Sequence, residues 1–321
     1  MENTNMAENI VELLTDVADA IREKKGSQDK INAQSFAEEI RNLQSGASPF
    51  AVDFGEEISS GNAAYINALQ EDIDYYNQIQ EERRLYAEGK GGRSDDEIRA
   101  DLDFKHKIAW WPSGMETKGV AKEFENYFRL RSVKDYKMVG YASNVFNRCS
   151  SLVDVGLIWN GVTLTFTFQY CTSLRKFVYD IPKLEVIQNT FVGCYSLETV
   201  EITSAKLTNI IQGFQQCYSL KRVRLTMDVD NPTSTNNAFS NCTSLEDVEI
   251  NLPLSTSFEW SPRLSHRSIA YILKHASDNI TITFASAAYA GFEDSMESLE
   301  AMTYAEILAA ANSRGITIAL K

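Results

Sequence analysis

Three histidines and five cysteines are among the residues of this chain that could bind a metal or act as nucleophiles. They are His106, His266 and His275, with Cys149, Cys171, Cys194, Cys217 and Cys242. Their spacing argues against both uses. His266 and His275 stand nine apart, which does not place them on one face at ligand distance. The chain has no His-Glu-x-x-His and no Cys-x-x-Cys, so the usual zinc patterns are missing. An odd number of cysteines at one regular position cannot form a complete disulfide framework. There is no Gly-x-Ser-x-Gly elbow for a nucleophilic serine. Acidic side chains are plentiful, but none sits in an apolar setting that would tune a general acid. Gly89-Lys90-Gly91-Gly92 lacks the spacing and the preceding strand of a phosphate loop and reads as a turn. The expectation is a protein with no catalytic residues, no metal and no cofactor.

What the cysteines do have is a period. They recur after 22, 23, 23 and 25 residues, each inside Phe-x-x-Cys-x-Ser-Leu or a close variant. The copies are Phe146/Cys149/Leu152, Phe168/Cys171/Leu174, Phe191/Cys194/Leu197, Phe214/Cys217/Leu220 and Phe239/Cys242/Leu245. A fixed period of this length marks a solenoid. After each leucine the chain alternates apolar and polar, as in Val200-Glu201-Ile202 and Val223-Arg224-Leu225, which reads as a half-buried strand. One repeat is too small to bury its own apolar face, so neighbours must cover it. The leucines, the Val/Phe positions and the cysteines are then stacked ladders, with each thiol a small buried side chain and weak donor in a tight turn. Polar Asp228–Asn237 precedes the fifth copy and accounts for its longer period.

This phrase resembles the BspA-type leucine-rich repeats, over about residues 141–252. The resemblance implies a right-handed solenoid with short strands on one face, a face that family members typically present to proteins or cell surfaces. The expected fold class is α+β: an N-terminal helical region, a β-solenoid of five leucine-rich-type repeats, and an α/β C-terminal cap. The expected domains are 1–48, 49–140, 141–252 and 253–321.

The elements outside the repeats read as supports. Residues 6–25 form an amphipathic pattern, with Ile10, Leu13, Leu14, Val17 and Ile21 on one stripe. Ser35-Phe36-Ala37-Glu38 is a capping box that opens a second helix. The segment from Ile21 to Phe36 is similar to the N-terminal region of many bacteriophage tail and virion-surface proteins of gut bacteria. That similarity implies attachment to a phage particle through Ile10, Leu13, Leu14, Val17, Ile21 and Phe36. Residues 62–88 read as a stalk helix whose apolar seam is short of three heptads. Ser94-Asp95-Asp96-Glu97 is a second capping box, expected to open a helix of roughly ten residues. The aromatic stretch 108–140, with Trp110, Trp111, Phe124 and Tyr127, is expected to cap the first rung. Beyond Asn251 the pattern is helix, strand, helix, strand. Its strands, 280–284 and 316–320, are expected to extend the repeat sheet.

Charge narrows the partners. Residues 1–145 hold 27 acidic and 18 basic side chains, and the rest hold 17 and 13. Nucleic acid wants clustered lysine and arginine, so it is not an expected partner. No stretch approaches the ~20 apolar residues of a membrane helix, so membrane insertion is not expected. The N-terminus lacks a secretory pattern. The expected protein is made in the host cytoplasm and carried on the virion surface, as a fibre or decoration, and a homotrimer is anticipated. Its partners would be other virion proteins through the N-terminus and a host-surface protein or glycan through the solenoid. The binding face would be the outward strand positions Asp154, Lys176, Asp180, Thr199, Glu201, Arg222, Arg224, Asp247 and Glu249. The alternative is an intracellular scaffold or adaptor that uses the same face for a cytoplasmic protein.

Overall fold

The computed structural model describes residues 56–140, 143–295 and 297–321. The stripe at Ile10–Ile21 and the segment around Phe36 lie outside the described residues. The described residues divide into two compact units, one of residues 56–93 with 112–114, the other of the described residues in 94–111 and 115–321.

In the first unit, helix α1 spans Glu56–Ala87. Buried Tyr76 and Ile79 mark one side of its C-terminal half. Arg83 donates to the Ser113 carbonyl at 2.6 Å, and the Tyr76 hydroxyl accepts from the Ser113 amide at 3.1 Å. The glycine run after α1 is a turn, as its composition suggests. Gly92 has φ +82°, and a β-carbon there would lie 2.1 Å from the Glu82 carbonyl oxygen, so only glycine fits.

In the second unit, Ser94 and Glu97 form the expected capping box of helix α2, Asp95–Ala100. The helix is shorter than its pattern suggested. Asp101 leaves the helical conformation and its carboxylate accepts the Asp103 amide, which starts a new helix, α3, Leu102–Lys107. A short acceptor side chain favours a cap over a helix interior. Behind these helices Trp111 packs edge-on against Phe124 at 4.7 Å and against Phe104 at 5.8 Å. This cluster closes the first rung of the stack.

Six strand-bearing turns follow. Their strands are β1 (Ser132–Gly140), β2 (Asp154–Gly161), β3 (Lys176–Asp180), β4 (Thr199–Leu207), β5 (Arg222–Met227) and β6 (Asp247–Ile250). β1 and β2 pair parallel, and β3-β4-β5-β6 form one parallel sheet. The first turn corrects the count of five. Phe124, Tyr127 and Leu130 occupy the places of Phe, Cys and Leu in the phrase, and all three are buried. Tyrosine at the cysteine position conceals that copy in the sequence.

The buried phenylalanines form the axis. Rings of Phe124, Phe146, Phe168, Phe191, Phe214 and Phe239 stack face to face, 5.1 to 5.7 Å apart and within 10° of parallel. The backbone beside them is bonded from turn to turn, as in Phe146 N to Thr167 O at 2.8 Å and Phe191 N to Gly213 O at 2.9 Å. Each turn bends through left-handed residues two before and two after its phenylalanine, such as Asn144 with Arg148 and Gln212 with Gln216. Each thiol donates to the phenylalanine carbonyl of the preceding turn at 3.0 to 3.1 Å, from Cys149 on Phe124 to Cys242 on Phe214. The cysteine ladder is therefore structural, a small buried donor at five successive turns.

The C-terminal region closes the stack differently from expectation. Helix α4, His266–His275, is capped by Ser265 and lies against β6. The Ser268 hydroxyl accepts the Val248 amide at 2.8 Å and donates to the Glu246 carbonyl, filling the place of a next strand. Strands β7 (Thr256–Phe258) and β8 (Thr281–Phe284) are followed by helix α5 (Ser286–Tyr289). Then come the short pair β9 (Ser298–Leu299) and β10 (Met302–Thr303), helix α6 (Tyr304–Ser313) and β11 (Thr317–Leu320). β8 and β11 join β7 in a separate parallel sheet, in the order β11-β8-β7. They do not extend the β3–β6 sheet. They continue the phenylalanine side, where Phe239 stacks on Phe258 at 4.8 Å and Phe258 on Phe284 at 6.0 Å. Ring stacking along the axis, not strand pairing at β6, decides where they dock.

Candidate binding face

Register aligns the outward side chains of β3–β6 in rows. Lys176, Thr199, Arg222 and Asp247 make one row, and Val178, Glu201, Arg224 and Glu249 the next. The inward rows between them, Phe177/Val200/Val223/Val248, are buried. Alternation thus puts the sequence-derived set on the open side. Lys176, Asp180 and Arg222 are exposed, and Thr199, Glu201, Arg224, Asp247 and Glu249 are half-buried. Asp154 is also exposed, but on β2, which pairs with β1 in a different sheet.

The half-burial has an electrostatic cause. Arg224 bridges three carboxylates: Glu201 at 3.2 Å, Asp247 at 3.2 Å and Glu249 at 3.3 Å. Arg222 contacts Asp247 at 2.8 Å. Arg267, from α4, reaches Glu249 at 2.8 Å and Asp247 at 3.6 Å. Hydrogen bonding to Glu249 raises the Arg267 pKa further above its ordinary value. Three arginines and three carboxylates therefore neutralise one another across three strands and a helix. Arg267 was outside the sequence-derived set because it comes from the cap helix and meets the face only through folding. The opposite end of the face, Lys176, Val178 and Asp180 on β3, carries exposed side chains of mixed type.

Aromatic side chains mark a second exposed surface, at the turn corners. Tyr195 and Tyr218 each follow a repeat cysteine, and their rings stack at 5.6 Å while remaining 43% and 44% exposed. Their equal place in the repeat is a sequence signal, but the residue type alone does not separate them from core tyrosines.

The histidines are used locally. His266 lies 3.0 Å from the Ala290 carbonyl, His275 lies 2.9 Å from the Tyr271 carbonyl, and His106 stacks near Phe128. Among the described residues no cluster of His, Cys, Asp and Glu is placed to hold a metal ion. No helix among them is long and apolar enough to cross a membrane.

Residues 163–261 match the family model described as the BspA type leucine rich repeat region, in six copies. The match covers the later turns and runs past β6 to Ser261, which stands in the cysteine place of its turn. A search of the curated proteins gives no match. Among solved structures, the chain is similar to a leucine rich cell surface protein from Faecalibacterium prausnitzii. The two share 16% sequence identity, over 67% of this chain and 77% of that one, with a TM-score of 0.28.

Proposed function

We propose that this chain is a non-enzymatic structural protein of a bacteriophage virion, a fibre or surface decoration. Its N-terminus holds it to the particle, and its solenoid faces outward to engage a host-surface protein or glycan. The observation that supports a binding role is the strand face of β3–β6. It is built on a stacked core and presents ordered rows of mostly polar side chains from one sheet. A matched repeat segment of the BspA type supports the same role. The particle half of the reading rests on the phrase from Ile21 to Phe36. In this reading the solenoid holds its contacts in fixed geometry, and three copies on one particle would convert a weak contact into avidity.

The test begins with particles purified after lysis of the producing cells. Recovery of the chain in the particle fraction, with a trimeric mass for the full-length protein by light scattering, supports the reading. Recovery only in the soluble fraction, as a monomer, overturns it. Loss of host-envelope binding in a Lys176→Glu/Asp180→Lys variant would place the contact on the β3 end of the face.

A further inference from the structure

Each end of the ring stack meets a further aromatic side chain. Phe124 is covered by Trp111. At the other end Phe284 stacks on Tyr289 at 6.0 Å, while its row in the sheet runs by register from Phe258 through Phe284 to Leu320, which is 49% exposed. β11 is the last strand of its sheet. Its Thr317 amide donates to Ile280 at 2.8 Å, its Lys321 amide to Phe284 at 3.1 Å, and its Lys321 carbonyl accepts from Ser286 at 2.7 Å. In a parallel pair alternate residues bond the same neighbour, so the backbone groups of Ile318 and Leu320 point to the open side. Beside that edge runs a groove of about 410 Å³ between β11 and the cap helices, lined in part by Tyr289, Glu293, Leu308 and Ile316.

We infer that the β11 edge is a docking site for an extended peptide of a partner protein. The peptide adds as a fourth parallel strand, carries apolar residues at alternate positions, and bears lysine or arginine. Three observations on this end specify that occupant. The open backbone groups of Ile318 and Leu320 require a strand. Ile318 and Leu320 continue the apolar rows of Ile282 and Phe284, so the added strand must bring apolar side chains every second residue. The charged residue lining the groove is Glu293, while Lys321 is held 3.0 Å from Glu259 and Arg314 donates to the Ala276 carbonyl. A basic strand complements this end. A second copy does not, because residues 286–321 carry five acidic against two basic side chains and would meet their like. The inference is independent of any place on a particle.

The experiment uses the full chain and a fluorescein-labelled probe, Lys-Ile-Lys-Ile-Lys-Val, followed by anisotropy. Controls are the same peptide with glutamate for each lysine, and one with a central proline. The basic probe is expected to bind. The acidic and proline peptides are expected to bind at least tenfold more weakly, as is the basic probe to a Leu320→Glu variant whose circular dichroism is unchanged. Glu293→Gln should narrow the gap between basic and acidic probes. Hydrogen exchange on the unmutated protein gives a second readout, in which the probe slows exchange at the Ile318 and Leu320 amides. Equal binding by Leu320→Glu, equal binding of acidic and basic probes, unprotected 318 and 320 amides, or no binding up to millimolar probe would each overturn the inference. So would a dimer that Leu320→Glu abolishes, since that assigns the edge to a second copy.

Discussion

The ring of Tyr170 crosses to the next turn and occupies the space where Gly193 would carry a side chain: a β-carbon there would lie 2.5 Å from Tyr170 Cδ1. Gly193 is also left-handed, at φ +72°. Two costs therefore fall on Gly193→Ala, the backbone conformation and the clash, together about 1 to 3 kcal/mol. Adding Tyr170→Ala should relieve the clash and leave the backbone cost. Urea denaturation of the two single variants and the double variant checks this. Additive losses would show that ring and glycine are not coupled.

Burial raises all five thiols, Cys242 to about 12. In the unfolded chain they titrate near about 8.5. The stabilisation tied to keeping them protonated is fully present below that value and is lost as pH rises toward the folded values. Each thiol that the unfolded chain can ionise and the folded chain cannot adds to the fall of stability with pH, so the five buried thiols steepen it together. Stability measured by denaturant should fall progressively as pH rises above about 8.5, and Cys217→Ala should make that fall shallower. A thiol reagent should find no reactive cysteine in the native protein and five in denaturant.

Arg222 and Arg224 face outward and pair with half-buried carboxylates. Exposed pairs are worth about 0 to 1 kcal/mol each. Replacing both arginines by glutamine should leave the fold intact and cost about 1 to 2 kcal/mol. Circular dichroism and a denaturant midpoint measure this. Collapse of the fold would mean that the open and buried rows are exchanged.

Neighbouring aromatics in one turn should behave oppositely. Phe214 is wholly buried in the ring stack, so Phe214→Ala should cost about 3 to 5 kcal/mol. Tyr218 is four residues on but 44% exposed, and Tyr218→Ala should cost about 1 kcal/mol or less. Similar losses at both positions would contradict the assignment of core and corner.

Much of this was legible in the sequence because a solenoid is nearly one-dimensional. The period of the cysteines places each phenylalanine, leucine and strand valine above its equivalent, and alternation then settles which strand residues face out. The left-handed places beside the phenylalanines were less legible, because Arg148, Phe166 and Tyr170 adopt them as well as Asn144 and Asn189.

Tertiary structure decided what lies between repeats and at their ends. Tyr127 shows that a turn can be made without its cysteine, because the place asks for a buried side chain and not for a thiol. Arg267 joins the charged face from a helix outside the repeats, so no spacing reveals it. β8 and β11 carry the alternation of strands, and local pattern offers two sheets they could join. The face-to-face stacking of Phe239, Phe258 and Phe284, together with Ser268 closing the edge of β6, selects one. The sequence alone determined the repeat and the side each strand residue faces, because both follow from local periodicity. Only packing decided which elements close the two ends, because that depends on contacts between segments far apart in the chain.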